Sequence, residues 1–220
     1  LVKNSRELLH GYCFEVRADP TLGLQKAVAL KAMGRFNHEA VAYNPGDGAV
    51  YLTEDRDDGL LYRFLPHRRE DLSSGTLQAM CLRDHKSADL RNYQAESKRV
   101  TKERQEMPIS WINLNNPTSP KDDLRIRGFK KGAAKFARGE GIFYDNGAIY
   151  LCCTNGGPQK RGQIFRILPK SAQRAVPSVE LFLESAKSDL LTSGDNLCVA
   201  PGGDLIICED LVSPFSKQQL

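Results

Sequence analysis

Three acidic residues, Glu39, Glu140 and Asp195, occupy the same place in three separate stretches of the chain, each opening an alternating apolar run that leads into a glycine turn. In residues 34–66, Glu39 precedes Val41 and Tyr43, a Pro-Gly-Asp-Gly turn follows, and Val50 and Leu52 run on to Glu54-Asp55. This pattern predicts a β-hairpin with a carboxylate at each open end. Glu140 opens GIFYDNG before AIYLCCT, and Asp195 opens NLCVAPGGDLIICED. Aligning the turn glycines Gly48, Gly147 and Gly203 places Glu54, Cys153 and Glu209 at a second shared position, six residues on.

Hairpins repeated around a common line would bring the first set of acids together at one end, with Glu54 and Glu209 returning beside them. Crowded carboxylates repel one another, so they are protonated, paired or neutralised by cations; a hard cation such as calcium takes six to eight oxygen ligands. Glu39, Glu54, Glu140, Asp195 and Glu209 are therefore candidate metal ligands. The plainer alternative is that such acids cap turns and accept backbone amides. That reading is preferred for any one acid alone, and the metal reading for the aligned set, because capping does not require acids on apolar strands at the same end.

Arg138 lies two residues before Glu140 and carries a permanently charged fork that suits an oxyanion such as phosphate; a salt bridge to the nearby carboxylates is the alternative. His38 is read as a structural hydrogen-bonder rather than a ligand, and Cys208 as packing. Asp47, Asp57 and Asp58 sit beside glycine in turns. GxSxG, Walker, HExxH and CxxC motifs are all missing.

The elements needed to hold these residues repeat with them. LLYRFLP and QIFRILP are matching third strands closed by proline, and 77–82 and 179–183 stand in the fourth place. Successive units start 101 and then 55 residues apart, so one further unit is expected within the insertion region. Four strands per unit predict an all-β fold, a β-propeller of about three to four blades in a single domain over 1–220. Such an array leaves open edges, and the tail SPFSKQQL resembles no blade element, so a longer array or a completing partner chain is expected. Residues 10–16 are expected as a strand, 27–33 as strand or helix, 83–108 as a charged, exposed insertion, 109–114 as a strand, 115–123 as a loop and 124–138 as part helix.

Composition sets wider bounds. The 220 residues are 40% apolar with a net charge of +4 spread along the chain, which fits a folded protein and implies no nucleic-acid partner. No apolar run approaches the roughly 20 residues that span a bilayer. The six cysteines lack zinc spacing and are read mostly as buried thiols.

At GRFNHEA, VYLTEDRDDGLLYRFLP, ARGEGIFYDNGAIYLCCTNGG, GQIFRILP and GDNLCVAPGGDLIICED the sequence resembles the PhoX family of bacterial alkaline phosphatases. The resemblance implies a six-bladed propeller whose axis holds calcium and iron and hydrolyses small-molecule phosphomonoesters, in proteins exported to the periplasm or beyond. It implies that Glu39, Glu54, Glu140, Asp195 and Glu209 are metal ligands and that Arg138 binds phosphate. Two other readings stand beside it: a propeller lactonase or esterase with axial calcium, against which Arg138 argues, and a non-catalytic calcium-stabilised propeller or inactive fragment.

Overall fold

Alternating side chains make each recurring stretch an antiparallel hairpin, because a strand with a period of two can bury one face and leave the other free. The computed structural model describes residues 10–185 and 191–210. The tail SPFSKQQL lies outside the described residues. In chain order the strands are β1 (Phe14–Glu15), β2 (Val28–Ala29), β3 (His38–Tyr43), β4 (Val50–Glu54), β5 (Gly59–Leu60), β6 (Tyr62–Pro66), β7 (Gly75–Leu82), β8 (Glu106–Asn113), β9 (Lys135–Phe136), β10 (Gly139–Asp145), β11 (Ala148–Cys153), β12 (Gln163–Leu168), β13 (Ser178–Glu184), β14 (Gly194–Val199) and β15 (Leu205–Glu209). One α-helix, α1 (Leu124–Lys130), lies between β8 and β9. The fold is all-β, and no described helix is long and apolar enough to cross a membrane.

Nine strands form one sheet in the order β10-β11-β12-β13-β8-β7-β6-β4-β3, every pairing antiparallel. It consists of two four-stranded meanders, β3-β4-β6-β7 and β10-β11-β12-β13, whose outermost strands are joined through β8. The end strands β3 and β10 pack together, so the sheet nearly closes on itself, and the β14-β15 hairpin packs against β10. One core fills the space between the meanders, with Tyr51, Leu61, Met80, Phe136, Leu151 and Phe165 at its centre. A second lies on the other face of β4, where Val50 and Leu52 meet Met33, Phe36, Tyr62 and Leu124. Strand β4 is consequently buried on both faces along its length.

Two expectations are corrected. No hidden four-stranded unit lies between β7 and β9 among the described residues; that region supplies β8, α1 and a 3-10 turn at Glu96–Lys98. The doubled interval arises from a long connection rather than an extra repeat. The charged segment 83–108 is mostly exposed, as its composition suggests, but it is anchored: Leu90 and Ala88 exchange backbone hydrogen bonds with Lys135, and Ala88, Leu90, Asn92 and Thr101 are buried. Part of its charge is paired, as in Arg91 with Asp57 and Asp89, which lets the buried residues sit within a polar segment. Finally, the expected strand at 10–16 is confined to β1, and 27–33 divides into β2 and a 3-10 turn at Lys31–Met33.

Candidate metal centre

The three opening acids share a backbone device. Register runs from His38↔Glu54 to Val41↔Leu52, from Gly139↔Cys153 to Ile142↔Leu151, and from Gly194↔Glu209 to Leu197↔Ile207. In each hairpin the first strand carries one extra residue, and Glu39, Glu140 and Asp195 sit in those bulges. A bulge interrupts the ladder and re-aims a side chain. The polar groups it frees are bound across the hairpins: the Thr53 hydroxyl accepts Ala40 N–H at 2.9 Å and donates to Glu140 O at 2.7 Å. Cys152, at the matching place in the next unit, donates its S–H to Gly194 O at 3.0 Å. Gly141 lets the third bulge approach, since a Cβ there would lie 2.7 Å from Asn196 Cα and 2.9 Å from Asp195 O.

Glu39, Asp55 and Glu140 bring one oxygen each to within 4.8 Å of one another. Glu39 is exposed, Asp55 half-buried and Glu140 buried, so the group forms a mouth with a dry floor. Burial, then Asp55, Asp195 and Glu39, push the Glu140 carboxyl up to about 8, against the pull of Arg138. Burial and the charges of Asp55 and Asp195 likewise raise Glu39. The centre thus carries more negative charge than its single guanidinium can offset.

That guanidinium is Arg138. Its Nε and Nη2 donate to the two Asp55 oxygens at 2.7 and 3.1 Å, and Nη2 also lies 2.8 Å from Glu140 Oε1. The residue adopts a left-handed backbone (φ 49°), a conformation costing about 1–3 kcal/mol in a non-glycine residue. It is held there by Arg138 N–H to Arg56 O at 2.9 Å and Thr154 N–H to Arg138 O at 3.1 Å. The salt-bridge reading of Arg138 is therefore realised in this arrangement.

Of the five expected ligands, Glu39 and Glu140 are brought together, and Asp195 stands near enough to raise both. Glu54 is not in that group. Its carboxylate points into the second core, accepting Tyr62 O–H at 2.8 Å and Leu60 N–H at 3.2 Å, with Arg125 at 4.0 Å. Burial is the main reason its carboxyl rises to about 7. Glu209 accepts Thr192 N–H and also lies outside the three-carboxylate group. Asp55, which repeat alignment passed over, stands in the three-carboxylate group that Glu54 does not join. Neighbouring residues at a strand end face opposite ways, so the Glu-Asp pair was the available signal.

His38 is the structural hydrogen-bonder expected. Its Nε2–H donates to Gly34 O at 3.1 Å, Nδ1 accepts from Cys13 Sγ at 3.4 Å, and its ring stacks on Phe36. Burial drives the ring down to about 4, so it is neutral at pH 7. Among the cysteines Cys81, Cys152 and Cys153 are buried, while Cys208 is exposed. Burial lifts the Cys152 thiol to about 12. The donors converging at the centre are accordingly carboxylate oxygens, a set that fits a hard cation such as calcium.

Comparison with known proteins identifies the family and the fold. The family model "Alkaline phosphatase PhoX" matches residues 3–217. Pseudomonas fluorescens PhoX in complex with vanadate, a transition state analogue, superposes with a TM-score of 0.67 at 20% identity over 95% of this chain. The likeness in fold takes in 44% of that protein's chain, so the present sequence spans less than half its length. No curated protein matches. The chain belongs to the PhoX alkaline phosphatase family.

Proposed function

We propose that this chain forms part of a metal-dependent phosphomonoesterase, in which Glu39, Asp55, Glu140 and Asp195 hold cations and Arg138 grips the phosphoryl oxygens. The observation that carries the reading is three carboxylates converging within 4.8 Å beside one guanidinium. The bulged hairpins β3-β4, β10-β11 and β14-β15 are read as the inner strands of three blades of a six-bladed propeller. Calcium, and iron as the family resemblance implies, are the cations proposed; when bound they would supply the positive charge that polarises a phosphate ester. Export to the periplasm or beyond belongs to the same reading.

Arg138 has two donor edges in this arrangement, and its left-handed backbone is fastened at both ends, so the guanidinium is already ordered before a substrate arrives. A preorganised cation aimed at developing charge loses little in reorganisation, and removing a donor of this kind costs about a hundred- to a thousandfold in rate. Glu54, buried against Tyr62, fixes the turn that carries Asp55 rather than binding a cation.

The test pairs elemental analysis with p-nitrophenyl phosphate hydrolysis by the wild type and Arg138→Ala. The expected result is calcium in both proteins and about a hundred- to a thousandfold slower turnover in the variant. Hydrolysis that survives the substitution, or purified chain that takes up no calcium, overturns the proposal.

A further inference from the structure

Beside the Asp55–Arg56 peptide opens a pocket of about 170 Å3, lined chiefly by His10, Arg35, Phe36, Asn37, Arg56 and Asp122. Gly11 closes one wall: Phe36 N–H donates to Gly11 O at 3.1 Å, and a Cβ on Gly11 would lie 2.8 Å from Phe36 O. Asn37 ties the pocket to the turn through Nδ2 to Asp55 O at 2.8 Å.

Among the described residues, the arginines and the acid that line this pocket do not balance. Its carboxylate, Asp122, is shared, with Arg56 Nη2 and Arg125 Nη1 each 3.5 Å from the same Oδ2. Arg125 also holds Asp58 at 2.9 Å, but Arg56 has no closer acid among the described residues and its side chain is 47% exposed. Arg35 donates from Nη1 to Ser119 O at 3.0 Å, a neutral partner, while its Nε is buried with no hydrogen-bond acceptor. Two guanidinium groups thus face a fraction of one carboxylate. A buried donor left without an acceptor is costly, and guanidinium forks match the geometry of tetrahedral oxyanions.

We propose that this pocket is a second oxyanion site, of phosphate size, held by Arg35 and Arg56 and separate from Arg138. An oxyanion here would neutralise Arg56 and the charge of Arg35, which the neutral Ser119 carbonyl leaves unbalanced. The inference does not depend on the phosphatase reading, because the two guanidinium groups it invokes are held by Asp122 and Ser119 O and not by the carboxylates of the centre.

Orthophosphate titrated calorimetrically into the full chain, stripped of metal and dialysed, tests it. Binding is expected, weakened about ten- to a hundredfold in Arg56→Gln by loss of one charge-assisted contact. Arg35→Gln should weaken it similarly, and Arg68→Gln, at an exposed arginine outside the pocket lining, should leave it within about twofold. Arg56 is half exposed, so its variant keeps the fold, and matching thermal unfolding confirms this. Phenyl phosphate in a parallel titration separates sources: binding with the same Arg56 dependence marks a site for organic phosphates, and binding of orthophosphate alone marks one for the free ion. Absence of phosphate binding, or binding that Arg138→Ala removes and Arg56→Gln leaves intact, overturns the proposal.

Discussion

Replacing Glu54 with Gln should stabilise the metal-free protein at alkaline pH. Glu54 is fully buried, its Oε1 has no hydrogen-bond partner, and its nearest cation, Arg125 at 4.0 Å, is engaged with Asp58. Burial raises its carboxyl from an ordinary 4.5 to about 7. The folded protein therefore holds this proton more tightly than the unfolded chain, and stability falls as pH rises from about 4.5 to about 7. At about 1.4 kcal/mol per unit, the full penalty above that window is about 3 kcal/mol. Gln keeps a carbonyl for Tyr62 O–H and Leu60 N–H but carries no charge. Thermal unfolding in chelator should place the variant about 6–12 °C above wild type at pH 8, with little difference at pH 4. A variant no more stable at pH 8, or one equally shifted at both pH values, refutes the argument; lost calcium content in the variant would instead make Glu54 a ligand.

Other outcomes follow from the same geometry. Thr53→Val leaves Ala40 N–H and Glu140 O without their shared hydroxyl and should cost about 1–3 kcal/mol in denaturant unfolding. Asp55→Asn removes both a candidate ligand and the bidentate partner of Arg138, and should weaken calcium binding by about tenfold in a calorimetric titration. Calcium at about a hundred times its dissociation constant should stabilise the chain by about 2.7 kcal/mol. Because the cation displaces a proton from Glu140, calcium affinity should rise with pH up to about 8, read as proton release in buffers of different ionisation heat.

Much of the framework was legible in the residues themselves. The hairpins at Glu39, Glu140 and Asp195 are local patterns of alternation and glycine turns, and each folds at the place its sequence marks. The meeting of Glu39 and Glu140 was legible too, because equivalent positions in hairpins repeated around a common line come together at one end. The choice between Glu54 and Asp55 was not. Both acids stand at one strand end, and the choice was made by a pocket assembled from Tyr62, Leu60 and Arg125, residues that alignment of turns does not weigh.

The connection between the meanders shows the same division. A charged composition describes 83–108 correctly as polar, yet whether polar residues lie outside or are buried in pairs depends on partners far away in the chain. Arg91 finds Asp57, Asn92 finds Glu184 and Leu90 finds the backbone of Lys135. Sequence by itself determined the strands, turns and recurring acids, since those follow from local sterics and hydrophobic period. Tertiary structure alone decided which carboxylates face one another and which guanidinium groups are left with surplus charge, because those depend on distances between elements brought together only by folding.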